Sequence, residues 1–323
     1  MKKTGKRLLA AMLLFCTILI GAAGYEVMAA DEAQSTESTS GTVNSADDLP
    51  GKRIGVQLGT TGDIYVSDYE SDGSGTVVER YNKGADAIQA LKQGKIDCVV
   101  IDEQPAIKFV EQNTGIRILD EEFILEDYAF VVAKSNTELL DKVNSALEKL
   151  EADGTIANIQ KNYIGTADEI GKFPYESKDV SHENGTLTVG TNAEFPPYES
   201  YEDGQIVGID MDIMRAVSDE LGMELKIEDM AFDSIIPAIS TGKVDIGAAG
   251  FTVTEERKKN VNFTDTYTTS KQVIIVKDDT VTSEKAGLSE KFYDNFVKDS
   301  RYVYLLKGLG NTLLITDRKS TRL

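Results

Sequence analysis

Two segments of the chain share one short pattern, and this repeat constrains the fold more than any other feature. Residues 90–97 read ALKQGKID and residues 238–245 read AISTGKVD. In each segment a helical stretch stops at a glycine, which readily takes the left-handed conformation that ends a helix. An apolar run follows the glycine in both cases. The sequence therefore predicts helix-to-strand units of the same kind in both halves of the chain.

Short β-rich runs alternate with helical stretches on both sides of this repeat. The predicted strands lie at residues 54–58, 98–101, 128–133, 187–190, 224–227, 245–249 and 272–276, and the predicted helices at 85–93, 106–112, 211–221 and 235–240. This alternation is typical of largely parallel sheets covered by helices, so we predict two α/β lobes. Ligands of such sheets bind at the carboxyl ends of strands. Asp102 and residues 250–252 follow two of the strands, and we expect both ends to face one cleft.

The amino terminus has the features of an export signal. Basic residues precede an apolar stretch at 8–20, and small residues follow up to Ala30. We predict a signal peptide at 1–30 and a protein on the extracytoplasmic side of the plasma membrane, in the periplasm or at the cell surface. Cleavage of this segment and its retention as a membrane anchor are both compatible with the sequence. Residues 31–49 are rich in Ser, Thr, Glu and Asp and are predicted to be a disordered tether.

Composition excludes several classes of function. The formal net charge is −20 and the acidic residues are scattered, which argues against binding to nucleic acid. The one histidine, His182, lies in a predicted linker, and Cys98 lies in an apolar strand. We therefore expect no disulfide, no metal site, no cofactor and no catalytic residues.

Several motifs resemble those of one protein family. In the second half they are GTNAEFPPY at 190–198, GIDMD at 208–212 and GFTVTEER at 250–257; in the first half they are GVQLGTTG at 55–62 and VVIDEQPA at 99–106. Together they resemble the family 3 solute-binding proteins of polar amino-acid ABC importers. The resemblance implies an α/β, two-lobed type II periplasmic-binding fold with two hinge strands.

The order of these motifs differs from the family's order. By resemblance, residues 50–134 form the second ligand-binding lobe, 135–165 are closing helices that pack on the first lobe, 166–185 are a linker, and 186–277 form the first lobe. Residues 128–134 and 272–277 resemble the two hinge strands. We expect one complete binding protein in circularly permuted order. The alternative is two incomplete modules of a tandem array.

The carboxyl-terminal segment resembles a different protein. Residues 278–323 contain FYDNF at 292–296 and an apolar run at 302–316, which resemble the start of an amino-acid importer permease. The run is too short to span a bilayer. We expect a linker followed by a truncated permease start, and the alternative is an ordinary amphipathic tail.

The resemblance also implies a set of ligand-binding residues. By this resemblance, Arg257 binds the carboxylate of a free amino acid, and Thr252 and Thr61 add hydrogen-bond donors to it. Asp102 and the carbonyl oxygen of Gly250 bind the ammonium group. Taken singly, Arg257 could form a surface ion pair, and Asp102 could cap the following helix.

The family's ligand side-chain pocket maps onto aromatic and amide residues. Phe195 and Phe232 correspond to the rings that sandwich the ligand side chain, and Tyr198 is a third aromatic with core packing as its alternative role. Asn192 and Gln57 suggest a neutral polar ligand, because cation-selective relatives often carry Asp at the position of Asn192.

The expected function is extracytoplasmic binding of a free polar amino acid by a monomer that closes at its hinge. The expected partners are an ABC permease, fused in a longer chain, and its ATPase. Two alternatives remain: an enzyme of the same fold, either a dehydratase or a lyase, and a sensory domain of a membrane receptor. An enzyme needs a general acid or base, and only Glu194 is a loosely placed candidate.

Overall fold

The computed structural model describes residues 42–121 and 124–278, and the statements below concern these two ranges. The predicted signal peptide, residues 31–41 of the predicted tether and residues 279–323 of the predicted permease start lie outside them. Within the described ranges, no helix is long and apolar enough to cross a membrane.

Strands and helices alternate along the chain, as the hydrophobic pattern predicts. Up to residue 164 the order is β1 (Arg53–Gln57), α1 (Thr61–Ser67), β2 (Val77–Tyr81), α2 (Gly84–Gln93), β3 (Cys98–Asp102), α3 (Glu103–Gln112), β4 (Ile116–Ile118), β5 (Ile124–Tyr128), β6 (Val131–Ala133), α4 (Thr137–Ala152) and α5 (Thr155–Ile164). From residue 186 it is β7 (Thr186–Thr191), β8 (Glu194–Phe195), β9 (Glu199–Glu202), β10 (Gln205–Val207), α6 (Ile209–Leu221), β11 (Glu224–Asp229), α7 (Phe232–Ser240), β12 (Ile246–Gly247), β13 (Val261–Phe263) and β14 (Thr268–Lys277).

The first sheet follows the order β2-β1-β3-β14-β4, and β5 also pairs with β14. Strand β1 runs parallel to β2 and β3, whereas β14 runs antiparallel to β3. All five residues of β3 are buried, as expected for an unbroken apolar run in the middle of a sheet. Cys98 is a free, buried thiol in this strand, which agrees with a packing role.

The second sheet follows the order β11-β7-β12-β6-β13. Strand β7 runs parallel to β11 and to β12, and β6 runs antiparallel to β12 and β13. A small antiparallel sheet, β10-β9-β8, adjoins it in sequence. The predicted α/β class is confirmed. The expectation of largely parallel sheets is wrong, because both large sheets are mixed: parallel pairing joins β1 to β2 and β3 and β7 to β11 and β12, whereas β14 and β6 run antiparallel to their neighbours.

The chain crosses between the two large sheets twice. The first crossing lies between Tyr128 and Val131, and the second between Phe263 and Thr268. The two crossings are hydrogen-bonded neighbours, because the backbone N–H of Tyr267 donates to the carbonyl oxygen of Tyr128 at 3.0 Å. Two adjacent crossing strands form the geometry that hinge closure needs.

The crossings correct two predicted boundaries. Strand β6 lies in the second sheet although we assigned residues up to 134 to the first half's lobe. Strand β14 lies in the first sheet, so residues 272–277 are not themselves a crossing segment and the lobe predicted at 186–277 ends earlier. The hydrophobic pattern along one strand does not reveal which sheet its backbone pairs with.

The repeated segments adopt the same local structure in both halves. Gly94 and Gly242 end α2 and α7 with φ of 73° and 71°. The aspartate that closes each repeat then bonds to a neighbouring strand: Asp97 Oδ2 accepts from the backbone N–H of Arg53, and Asp245 Oδ2 from that of Thr188, both at 2.8 Å. The repeat therefore has a complete structural explanation.

The predicted tether is wrong at its carboxyl-terminal end. Residues 46–48 form a short 3-10 helix, and Val43 and Leu49 are buried in a cluster with Ile54 and Val56 of β1. Two well-spaced apolar side chains suffice to anchor this stretch, although the surrounding composition is that of a disordered segment.

The predicted closing helices and linker pack on the second half. Helices α4 and α5 contact α6, and the Tyr163 hydroxyl donates to Asp212 Oδ2 at 2.8 Å. In the predicted linker, the Tyr175 hydroxyl and the backbone N–H of Lys178 both donate to Asp219 of α6 at 2.8 Å. The linker therefore lies along the second half of the chain.

Candidate functional site

The carboxyl ends of strands from both large sheets border one cavity. Strand β1 ends at Gln57 and β3 at Asp102, while Asn192 follows β7 and Gly250 lies shortly after β12. The cavity is lined by Gln57, Thr60, Thr61, Asp102, Asn192, Phe195, Glu199, Phe232, Ala249, Gly250, Thr252 and Arg257. Nine of the ten residues predicted from the sequence are in this set, and Tyr198 is the exception.

Several hydrogen bonds join the two halves around the cavity, and three of them involve Gln57, Thr61 and Arg257. Gln57 Nε2 donates to Asn192 Oδ1 at 2.9 Å, and the hydroxyls of Thr61 and Thr252 lie 3.4 Å apart. The third bond runs from Arg257 Nη2 to the carbonyl oxygen of Gly59 at 3.0 Å. The structure therefore brings the predicted residues of both halves together.

Arg257 lies at the start of a 3-10 helix, Arg257–Lys259, and is 6% exposed. Its guanidinium carbon lies 5.4 Å from the ring centres of both Phe232 and Phe251, which stack on each other at 4.7 Å. Burial lowers the pKa of Arg257, and the nearby charge of Glu126 opposes this effect. The alternative of an exposed ion pair does not fit a buried guanidinium that bonds to the carbonyl oxygens of Thr252 and Gly59.

Asp102 is the last residue of β3 and is 4% exposed. Its Oδ1 accepts a hydrogen bond from the Tyr128 hydroxyl. Asp102 precedes α3 at the N-cap position, but its side chain makes no capping bond. Burial raises the pKa of this carboxyl well above its usual range, and the charge of Glu126 raises it further. A cationic group beside Asp102 would reverse this effect, because it favours the ionised carboxylate.

A polar network that we did not predict supports the two threonines. The Thr252 hydroxyl donates to Glu126 Oε2 at 3.0 Å, and Gln272 Nε2 reaches the same oxygen at 3.1 Å and Thr61 Oγ1 at 3.3 Å. Glu126 and Gln272 lie inside β5 and β14 and are 4% and 0% exposed. No motif or spacing in the sequence predicts that Glu126 and Gln272 are buried beside the site, because polar residues within strands normally face solvent.

The two amide side chains at the opposite side of the cavity are fixed by backbone carbonyls. Asn192 Nδ2 donates to the carbonyl oxygen of Met230 at 2.9 Å, and Gln57 Nε2 also reaches that of Asn82 at 3.3 Å. Together with the bond between them, these contacts hold both amides in defined orientations.

Phe195 and Phe232 line the cavity, whereas Tyr198 lies behind it. Tyr198 is 1% exposed and packs against Phe195 and Tyr128, with ring centres 5.7 Å and 5.2 Å away. We therefore correct its assignment from ligand contact to core packing. The motif places both aromatics close together in sequence, but only the strand geometry decides which one borders the cavity.

Gly250 allows the backbone to approach the aromatic wall. Its φ is 56°, and a Cβ at this position would lie 2.8 Å from Cε1 of Phe195. The backbone N–H of Gly250 donates to Asp210 Oδ2 at 2.9 Å, and the Tyr267 hydroxyl donates to the other oxygen. Burial raises the pKa of Asp210 to about 7.

Glu199 also lines the cavity, and sequence reasoning missed it. It directly follows the motif at 190–198 and is the first residue of β9, where it pairs with Phe195. Its side chain is fully buried, and neither carboxylate oxygen has a hydrogen-bond partner among the described residues. Burial raises its pKa well above the usual range, with further contributions from Asp210 and Asp102.

Glu194, the only candidate for a catalytic acid or base, does not line this cavity. Its carboxylate forms an ion pair with Lys83 at 2.5 Å, and both side chains are partly exposed. Because this ion pair lies outside the cavity, the geometry does not favour a role for Glu194 in acid–base chemistry on a bound ligand. Within the described ranges no cluster of three or more His, Cys, Asp or Glu side chains could hold a metal ion.

Comparison with known proteins places these features in one family. The model of the bacterial extracellular solute-binding proteins, family 3, matches residues 74–166 and 187–303. This family match confirms the prediction that the chain is a binding protein and not an enzyme.

Individual relatives match over shorter stretches. The arginine-binding protein ArgT of Corynebacterium glutamicum is 44% identical over 84 residues, which cover 26% of this chain and 28% of that protein. The L-cystine-binding protein TcyJ of Escherichia coli K12 is 30% identical over 135 residues, or 42% of this chain and 50% of that protein. The arginine-bound domain 1 of TmArgBP is 43% identical, with coverage of 30% of this chain and 83% of that one and a TM-score of 0.26. These matches span about a quarter to a half of the length of the two curated relatives.

Proposed function

The chain belongs to family 3 of the bacterial extracellular solute-binding proteins, and from this membership we propose that it binds one free polar amino acid in the cavity and delivers it to an ABC importer permease. The observation that carries the proposal is the distribution of charge in the cavity wall. A buried guanidinium, that of Arg257, and a buried carboxyl, that of Asp102, line the same cavity. A free amino acid carries the two complementary charges.

Arg257 receives the carboxylate of the ligand in this proposal. Its planar fork can form two charge-assisted hydrogen bonds, each worth about 1.5 to 3 kcal/mol. The hydroxyls of Thr61 and Thr252, 3.4 Å apart, add donors from both halves. Thr61 is also the first residue of α1, so the free backbone N–H groups of that helix favour an anion beside it.

Asp102 and the Gly250 carbonyl receive the ammonium group. Burial and the neighbouring charge of Glu126 raise the pKa of Asp102, and a bound ammonium favours the ionised form of this carboxyl. The ligand side chain then lies between Phe195 and Phe232, beside the fixed amides of Gln57 and Asn192.

Closure about the two crossing segments completes the mechanism. Arg257 and Gly250 belong to the second half of the chain, and Thr61 and Asp102 to the first, so a bound amino acid contacts both. Contacts on both sides favour the closed conformation, which is the form that we propose the permease recognises. The three cross-cavity hydrogen bonds support one site assembled from both halves, in permuted order, over two incomplete modules.

Location and partners follow from the same proposal. Family members are extracellular proteins, and we propose that the segment at 1–30 exports this chain as well. The chain then works as a monomeric binding unit beside a permease and its ATPase.

A thermal-shift screen with the twenty amino acids tests the proposal. A ligand at about 100 times its dissociation constant adds about 2.7 kcal/mol to the free energy of unfolding. We expect one or a few polar amino acids to raise the unfolding temperature, and this rise to vanish in Arg257→Ala. The proposal fails if none of the twenty raises it at millimolar concentration while the protein unfolds cooperatively.

A further inference from the structure

Asp210 connects the wall of the cavity to a segment that crosses between the two large sheets. It is the second residue of α6 and is fully buried. Its Oδ2 accepts from the backbone N–H of Gly250 in the cavity wall at 2.9 Å, and its Oδ1 accepts from the hydroxyl of Tyr267, in the second crossing, at 2.5 Å. One side chain therefore contacts both the proposed ammonium site and the hinge.

The first crossing belongs to the same cluster of contacts. The Tyr267 ring stacks on Phe130 with ring centres 4.4 Å apart, and the Tyr267 backbone N–H donates to the carbonyl oxygen of Tyr128. The backbone N–H of Ala129 in turn donates to the carbonyl oxygen of Phe251, in the loop that borders the cavity, at 3.0 Å. A shift of the Tyr267 side chain can therefore reach both crossings and this loop.

Only the ionised form of Asp210 can accept hydrogen bonds from both donors. A backbone N–H can only donate, so the oxygen that faces Gly250 stays an acceptor in either form. A proton on Asp210 must then lie on the other oxygen and point at the hydroxyl of Tyr267, whose own proton has to turn away. Protonation therefore changes the contact to the second crossing and preserves the contact to the cavity wall.

The surroundings of Asp210 favour its protonated form while the cavity is empty. Burial raises its pKa to about 7, so most molecules hold this proton at pH 6. The titratable groups that act on Asp210, or on which it acts, are Tyr267 of the second crossing, Tyr198 of the motif at 190–198 and Glu199 of β9. None of the three carries a positive charge. On α6 itself, Asp212 bonds instead to Tyr163 and Arg215.

We propose that Asp210 is a positioning residue controlled by a proton: amino-acid binding expels this proton to solvent, and the carboxylate then fixes the Tyr267 hydroxyl and with it the second crossing. This inference rests on the proposed function, because the ammonium group of the ligand supplies the charge that acts on Asp210. That group binds at the carbonyl oxygen of Gly250, the residue whose N–H bonds to Asp210, and it favours the ionised carboxylate. The bond to Tyr267 then couples occupancy of the cavity to the conformation of the hinge.

Titration calorimetry at a series of pH values tests the inference on the full chain. The probe is the amino acid that gives the largest rise in unfolding temperature in the screen of the twenty. Asparagine at position 210 can accept from Gly250 and donate to Tyr267, so Asp210→Asn resembles the protonated form at every pH. We expect the ratio of native to Asp210→Asn affinity to rise about 4- to 8-fold between pH 6 and pH 7.5, as a loss of about 10- to 100-fold in proton affinity on binding requires.

Two further variants separate this role from a general structural effect. Asp212→Asn is the matched control, because Asp212 lies on the same helix but bonds to neither Gly250 nor Tyr267, and its affinity should follow the native pH profile. Tyr267→Phe removes one donor from the ionised carboxylate. The rise in its affinity should therefore move up by about one pH unit, the equivalent of one hydrogen bond to a charged group.

Each outcome is assigned in advance. A constant ratio of native to Asp210→Asn affinity from pH 6 to pH 7.5, or a Tyr267→Phe profile identical to the native one up to pH 8.5, overturns the inference and leaves amino-acid binding intact. Failure of all twenty amino acids to bind contradicts the proposed function instead. If Asp210→Asn does not fold, the comparison of Tyr267→Phe with the native protein still decides.

Discussion

Gln57 Nε2 donates to Asn192 Oδ1 at 2.9 Å, although the two residues lie 135 positions apart in the chain. One belongs to the end of β1 in the first sheet and the other follows β7 in the second. Both side chains are buried at this bond, so it forms only when the two halves pack against each other as one unit.

A double-mutant cycle on this pair tests the assembly of one site. We expect Gln57→Ala and Asn192→Ala to show a coupling of about 0.5 to 1.5 kcal/mol in the free energy of unfolding, which is the usual net value of one hydrogen bond. Urea denaturation of the native protein, both single variants and the double variant gives this number. Asn262 of β13 bonds to the carbonyl oxygen of Lys134, next to β6 in the second sheet, and not to Gln57, so its alanine variant should be additive with Gln57→Ala. Two modules that do not touch would give zero coupling for both pairs.

Arg257→Ala tests the proposed carboxylate contact. We expect the affinity for the amino acid found in the screen to fall about 10- to 100-fold, since charge-assisted bonds are lost. Arg257→Lys should recover only part of this loss, because an ammonium cannot present a planar fork. Calorimetry measures both, and Lys258→Ala is the control, because Lys258 pairs at the surface with Glu255. Unchanged affinity in Arg257→Ala would show that Arg257 does not bind the carboxylate of the ligand.

Stability should depend on pH through Asp210. Its usual pKa is 3.8 and burial raises the folded value to about 7. Between these values the unfolded chain is ionised and the folded protein is protonated, so the folded state binds more protons and loses stability as the pH rises. The full effect is at most about 4 kcal/mol, from 1.36 kcal/mol per pKa unit.

Asp210→Asn removes this contribution and keeps every other carboxyl in the sequence. Urea denaturation between pH 4 and pH 8 should show the native protein losing stability relative to the variant up to about pH 7 and running parallel to it above. Parallel curves over the whole range would mean that Asp210 is already ionised in the folded protein at pH 4.

Sequence reasoning identified the strands that carry the site but not every side chain that lines it. Asp102 and Gly250 were predictable because each lies at or after a strand end, where α/β sheets place their ligands, whereas Gln57 was assigned from the family resemblance. Glu199 and Glu126 were not, because their burial depends on which strand pairs with β9 and β5. Tyr198 was assigned to the ligand since it belongs to the motif, whereas its ring orientation, set by packing against Tyr128, places it in the core. Strand pairing and packing are properties of the folded chain, and they decide these three cases.

Gly250→Ala tests whether the close approach of this backbone to Phe195 is needed. A side chain at φ of 56° is strained, and the new Cβ would lie 2.8 Å from Phe195 and 3.2 Å from Tyr128. Gly242 is a matched control, because its φ is 71° but a Cβ there meets nothing within 4 Å. Both alanine variants should lose about 1 kcal/mol from backbone strain. Only Gly250→Ala should lose about 1 to 3 kcal/mol more from overpacking, and with it affinity, since Phe195 lines the cavity and must shift away from the new Cβ. Thermal and urea unfolding measure the difference in stability between the two variants. Equal destabilisation would show that Phe195 can move away from the new Cβ with no loss of free energy of unfolding.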